Sequence, residues 1–165
     1  MLNQQVLDNF NVERVSLVQN GLLVLMLWAI VNILVCVVAQ YYYSGFKKQF
    51  LLMNVYWNLV NLALSLFGIF SQKEQVEDML LVQTIEAQFS LEKVLLFNGG
   101  LDVGYVFLGL WLVQKSLEVS KNQERLRGYG YSIIVQGLWL FLFDLTFYAF
   151  LNSHGNLLLA LIKEG

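Results

Sequence analysis

The sequence predicts an all-α protein, an integral membrane bundle of four helices that run up, down, up and down. Hydrophobic residues make up 58% of the 165 residues and charged residues only 13%, against about 45–50% and about 25% in soluble domains. Four apolar stretches each have roughly the 17–25 residues that are needed to cross a bilayer. The connections between them, of about 10, 23 and 17 residues, are short enough to join antiparallel neighbours.

The four predicted spans are residues 22–39, 50–70, 94–113 and 131–151, which together make a single domain. Each span is expected to be a helix, because a backbone inside lipid has to satisfy its own hydrogen bonds. The first span contains one strongly polar residue, Asn32, whereas the second and third carry regularly spaced polar residues. The fourth contains Gln136 and Asp144.

The segments that flank the spans are amphipathic. Residues 71–93 place acidic side chains beside an apolar pattern, which predicts a short helix lying on the membrane surface, and the first ten residues suggest another. Ser90 is the expected N-cap of the third span. Gly155 is the expected end of the fourth span, and we expect His154 beside it to be exposed.

The distribution of Lys and Arg predicts the orientation in the membrane. The first and third connections carry six such residues, while the N-terminus, the second connection and the C-terminus carry four. The positive-inside rule therefore places the first and third connections in the cytoplasm and both termini outside.

Composition also excludes several classes of protein. One cysteine allows no disulfide within the chain, and one histidine allows no bis-histidine haem. A net charge of −2 without a basic run argues against nucleic acid as a partner. We find no metal cluster, nucleophile–base pair or phosphate loop, so the sequence leans against an enzyme and predicts no cofactor, while a metal ion is left open.

Polar residues form stripes along the two middle spans. The second span carries Asn54, Asn58, Asn61 and Ser65, and the third carries Asn98, Asp102, Tyr105 and Gly109. Both sets have the spacing 0, 4, 7 and 11, which at 100° per residue confines each to an arc of about 60°. Since polar groups in hydrocarbon face the bundle interior, Asn58 and Asn61 should point inward, and Val60 and Leu64 should face lipid or a neighbouring chain.

The two aspartates are expected to lie at the same depth. Asp102 is seven residues from Leu95 and Asp144 is seven from Leu151, so each lies about 10 Å below the outer end of its span. Two charges about 4 Å apart repel by about 4 kcal/mol at an effective dielectric near 20. No Lys, Arg or His lies within any span. Either one carboxyl therefore keeps a proton, or a cation lies between them.

Three functions remain open at this point. The first is a binding or permeation site for a proton, a small cation or a polar solute. The second is a structural or accessory subunit whose polar core only fixes helix register. The third is a lipid- or quinone-binding protein or enzyme. The expected partners are lipid, an ion or solute and, on the outer faces, further copies of the chain. The candidate ligand-binding residues are Asp102, Asp144, Asn61, Asn58, Asn32, Asn98, Tyr105 and Gln136.

Three glycines and one tryptophan bear on how the helices pack. Gly100 and Gly104 have the spacing that lets transmembrane helices pack closely, and with Gly99 they are expected at a helix contact off the stripe that carries Asp102. Trp57, between two asparagine-bearing turns, either packs beneath the polar layer or lines a pocket.

Four segments together resemble a family of small bacterial four-span membrane proteins of unknown function. They are residues 53–62 (MNVYWNLVNL), 91–105 (LEKVLLFNGGLDVGY), 125–130 (RLRGYG) and 143–148 (FDLTFY) with His154 and Gly155. The resemblance implies the four-span topology and a place in the bacterial inner membrane. It implies no activity.

Overall fold

The computed structural model describes residues 3–71, 79–118 and 121–164. Four helices make up nearly all of this part of the chain: α1 (Gln4–Ala39), α2 (Gly45–Ser71), α3 (Leu81–Glu118) and α4 (Gln123–Glu164). All four are long and apolar enough to cross a membrane. This confirms the all-α fold class and indicates a multi-pass membrane protein.

The helices do not pack equally. α3 lies along α4, and α2 packs against both α1 and α4. Over their described lengths, α2 and α3 do not approach each other closely. The bundle is therefore tight around α4 and open between α2 and α3.

Three helices extend beyond the spans at the same end of the bundle. α1, α3 and α4 contain 36, 38 and 42 residues, or about 54–63 Å, against a hydrocarbon thickness of about 30 Å. Their projecting ends bury Leu7, Phe10 and Leu158 together. These apolar contacts hold the extension as a small three-helix cluster.

The predicted surface helix at 71–93 is wrong as a separate element. Residues 81–93 are the first turns of α3, while 72–78 lie outside the described residues. The segment before the first span likewise belongs to α1. Ser90 is inside α3 and is not an N-cap, because no proline or glycine interrupts the helix between 81 and 98.

The expectations for His154 and Gly155 are also wrong. α4 continues to Glu164, and His154 is 6% exposed, with its ring stacked 4.0 Å from that of Phe10. A Cβ on Gly155 would lie 2.9 Å from Glu92 Oε1. The glycine thus permits a close approach of α3 to α4 within the extension and does not end the helix.

The glycines that bring helices together are not the expected pair. A Cβ on Gly109 would lie 2.7 Å from the carbonyl oxygen of Gly130, at the contact of α3 with α4. Among the described residues, a Cβ on Gly100 or Gly104 would meet nothing within 4 Å, whereas one on Gly99 would lie 3.9 Å from the Phe141 ring of α4. The predicted helix contact is therefore confirmed at Gly99 and wrong at Gly100 and Gly104, because α4 meets the face of α3 that carries Gly99 and Gly109.

Two glycine substitutions test this packing. Gly109→Ala should lower the melting temperature, because the new methyl group meets a backbone oxygen that cannot move without separating α3 from α4. Gly100→Ala is the matched control and should leave stability unchanged or raise it by up to about 1 kcal/mol, because alanine is the better helix former. Thermal unfolding in detergent, followed by circular dichroism, measures both. Equal melting temperatures would contradict the proposed contact.

Candidate ligand-binding site

One polar layer links α1, α2 and α4. Gln136 Nε2 donates a hydrogen bond to Asn54 Oδ1, and Trp28 Nε1 donates to Gln136 Oε1 over 3.3 Å. The Trp28 ring also stacks on Trp139, with 4.1 Å between the ring centroids. Because the Gln136 amide uses both its donor and its acceptor here, this layer stabilises the helix contacts.

Two other asparagines bond within their own helices. Asn58 Nδ2 donates to the carbonyl oxygen of Asn54 over 2.8 Å, and Asn32 Nδ2 donates to that of Trp28 over 2.9 Å. Asn58 is fully buried, and its Oδ1 has no hydrogen-bond partner within the described part of the chain. Asn32, Asn58 and Gln136, which the sequence grouped with the aspartates, therefore lie outside the cavity that the aspartates line.

That cavity has a volume of about 400 Å³ and lies one to two turns farther along α2. α2 supplies Asn61, and α3 supplies Asn98, Asp102 and Tyr105 from one face. Asp144 of α4 completes the set. The structure thus brings together five of the eight residues that the sequence singled out, because three helices turn their polar stripes toward the same space.

Asp102 of α3 and Asp144 of α4 line this cavity together, close enough for their carboxyl groups to interact electrostatically. Both residues are buried, Asp102 with 4% and Asp144 with 8% of its surface exposed. Asp102 Oδ2 is buried and receives no hydrogen bond from any donor of the described residues. Two ionised carboxylates are acceptors only, so neither can satisfy the other without a shared proton or a cation.

Two donors on α2 are also unpaired at this cavity. Asn61 Nδ2 and Trp57 Nε1 are buried without a hydrogen-bond partner in the described part of the chain. The Trp57 ring meets the Tyr105 ring edge-on, with centroids 4.7 Å apart and planes at 86°. Each unsatisfied buried group costs about 1–3 kcal/mol, so the cavity offers polar atoms to a bound molecule.

The cavity opens sideways between α2 and α3. Its rim includes Val60 and Leu64 on α2, which are 59% and 58% exposed, and Leu101 on α3. The prediction that Val60 and Leu64 face outward while Asn58 and Asn61 face inward is confirmed. In a membrane, these rim residues would face lipid chains.

The donor set bears on which ions the site can hold. Among the described residues, no three His, Cys, Asp or Glu side chains form a group that could hold a metal. A metal ion at the aspartate pair would therefore also need amide oxygens, which Asn61 and Asn98 could supply. Hard cations accept such mixed oxygen ligands.

The sequence predicted the polar residues of the cavity better than the apolar and aromatic residues of its wall. Trp57 left two interpretations open, and the structure places it at the cavity. The sequence feature that indicates this position is that Trp57 precedes Asn61 by one turn on the same face of the helix. The apolar contributions of Leu25 and Leu140 had no sequence signal, because both sit among other leucines.

Comparison with known proteins gives a family without an activity. The chain belongs to the DUF6992 family, a family of unknown function, which matches residues 24–145. Neither a curated protein nor a solved structure matches the chain.

The contact of Gln136 with Asn54 should be measurable as a coupling. In a double-mutant cycle of Asn54→Ala and Gln136→Ala, we expect a coupling energy of about 0.5–2 kcal/mol, as for other hydrogen bonds between transmembrane helices. Ser65→Ala replaces Asn54→Ala in the control cycle, because Ser65 Oγ bonds within its own helix. Unfolding free energies in mixed micelles give both values. A coupling no larger than that of the control would contradict the contact.

Proposed function

We propose that this member of the DUF6992 family binds a proton or a small cation between Asp102 and Asp144, inside a multi-pass membrane bundle. The observation that carries the proposal is that these two buried carboxyl groups line one cavity. The spans contain no Lys, Arg or His that would neutralise them.

The electrostatics favour a bound positive charge. Two charges about 4 Å apart at an effective dielectric near 20 repel by about 4 kcal/mol, and one proton or cation between two carboxylates removes that repulsion. The titratable groups that line the cavity are Asp102, Asp144 and Tyr105, while α1 and α2 contribute none to its lining. The pair therefore controls the charge of the cavity.

The packing favours binding over permeation. On the side of the cavity toward the first and third connections, Gly109 lies against Gly130, and a Cβ on Gly128 would lie 2.5 Å from the carbonyl oxygen of Phe46. Such close helix contacts leave little room for a continuous channel. The chain also has no proline, which argues against the broken helices through which many transporters bind substrate.

A structural role suits the other polar layer. The side chains of Trp28, Gln136 and Asn54 are hydrogen-bonded to one another across three helices, which is how polar residues fix helix register in membranes. This favours the accessory-subunit alternative for that layer alone. The cavity residues differ, because Trp57, Asn61 and Asp102 each have a polar atom without a hydrogen-bond partner among the described residues.

We further propose that the protein lies in a bacterial inner membrane with both termini outside. The Lys and Arg excess on the first and third connections supports this orientation. The aspartate pair would then lie closer to the outer face, and the three-helix extension would project from that face.

Cysteine labelling in intact bacterial cells tests the orientation. In a Cys36→Ala background, Lys121→Cys in the third connection should react with a membrane-permeant maleimide and not with an impermeant one. Lys163→Cys near the end of α4 should react with both. The opposite pattern would reverse the orientation.

The pH dependence of stability tests the shared proton. We expect the melting temperature of the wild type in dodecyl maltoside to fall as the pH rises from about 5 to 9. An unfolded aspartate has lost its proton above about pH 4, whereas the folded pair keeps one, so the folded state binds more protons and loses stability with rising pH. The slope is at most about 1.4 kcal/mol per pH unit for one proton.

Cations and variants separate the outcomes. If a cation holds the pair, then sodium, potassium, magnesium or calcium should raise the melting temperature at high pH. Asp102→Asn and Asp144→Asn should both fold and lose the dependence, because an amide donates to the remaining carboxylate. The exposed Glu86→Gln is the control and should behave as the wild type. Parallel curves for all four proteins would leave only a structural role.

A further inference from the structure

We infer that the ligand of the Asp102–Asp144 cavity is a membrane-soluble organic cation, an ammonium group on a hydrocarbon chain, which enters from lipid between α2 and α3. The inference rests on the proposed function, because it needs negative charge at the aspartate pair. It adds the chemical class of the ligand and the route of entry.

The route follows from the position of the opening. The backbones of α2 and α3 stay apart over their described lengths, with the Trp57 and Tyr105 rings in contact between them. The exposed rim residues Val60 and Leu64 are apolar. A molecule in the bilayer would meet an apolar entrance first and the buried polar groups behind it. This order of surfaces fits an amphiphile whose charged group enters first and whose chain remains in the opening.

The charge of the ligand follows from the lining. Asp102 and Asp144 are the acidic groups of the cavity, and its lining contains no basic residue. A permanent cation would replace the proton between the carboxyls. A zwitterionic lipid would bring a phosphate toward the same carboxylates with no Lys or Arg to neutralise it.

The aromatic residues suit an ammonium group in particular. Trp57 and Tyr105 line the same cavity as the aspartates, and aromatic rings attract cations within about 6 Å of their centroids. Quaternary ammonium ligands are commonly bound by such rings. An inorganic cation would not depend on these rings in the same way.

The size of the cavity supports an organic ligand. Its volume of about 400 Å³ lies within the range of about 300–1,000 Å³ that is typical of small-molecule sites. A single metal ion would occupy a small fraction of it. Asn61 is buried, and its Nδ2 has no partner in residues 3–71, 79–118 and 121–164. This amide can therefore donate a hydrogen bond to water or to an oxygen atom of the ligand.

Dodecyltrimethylammonium is a suitable probe, because its charge does not change with pH. We expect it to raise the melting temperature of the protein in dodecyl maltoside at pH 8, at a mole fraction where tetramethylammonium and dodecanol do not. The stabilisation should weaken toward pH 5, because protons compete for the carboxyls. Its affinity should fall at least about tenfold in Asp102→Asn and Asp144→Asn, as expected for loss of a charged contact, and stay unchanged in Glu86→Gln.

A second pair of variants tests the entrance without touching the carboxyls. Leu64→Trp narrows the opening and should reduce stabilisation by dodecyltrimethylammonium while keeping the pH dependence of the melting temperature. Leu59→Trp is the matched control, because Leu59 is equally an exposed leucine of α2 but does not line the cavity. Equal effects of the two substitutions would overturn the lateral entrance.

The remaining outcomes separate this inference from the proposed function. Equal stabilisation by tetramethylammonium would overturn entry from lipid, and equal stabilisation by dodecanol or added phosphatidylcholine would overturn the requirement for a net cation. A pH dependence that requires both aspartates, without any specific effect of dodecyltrimethylammonium, would overturn the inference and leave the proton site intact. Loss of both effects would overturn the two together.

Discussion

A polar side chain in the hydrocarbon of a membrane needs a partner inside the protein, and this constraint orients all four helices. It turns Asn54, Asn58 and Asn61 of α2 inward and leaves Val60 and Leu64 outward. The same constraint acts on α3 and α4, so that Asp102 and Asp144 meet. Apolar packing alone would not select these rotations, because lipid chains are as apolar as the leucines on the outer faces.

The size of the side chains then decides where the bundle is tight and where it is open. Gly109, Gly130 and Gly137 bring the backbones of α3 and α4 together. Between α2 and α3, by contrast, the contact is made by two large rings, Trp57 and Tyr105. Small residues on one side of α3 and aromatic residues on the other produce a cavity beside α4. Trp57, Asn61 and Asp102, each with an unpaired polar atom among the described residues, line that cavity.

The sequence predicted what depends on periodicity and missed what depends on packing between helices. The spacing of the stripes was enough to place Asn61 and Asp102 in the interior. Nothing local showed that Gln136 would bond Asn54 and so leave the aspartates to a separate layer. Ser90, His154 and Gly155 were misread because helix-end signals are weak, and a projecting three-helix cluster can bury such residues within longer helices.

The two helices that carry the carboxyl groups limit how the protein can relieve the repulsion between these groups. Asp102 and Asp144 belong to α3 and α4, which form the closest pair of helices. A Cβ on Gly137 of α4 would lie only 3.1 Å from the carbonyl oxygen of Asp102 itself. Separating the carboxyls by moving the helices would therefore break these glycine contacts along the pair. Gaining a proton or a cation leaves the packing unchanged, so the charge of the site, rather than its geometry, is the variable that can respond to pH or ligand.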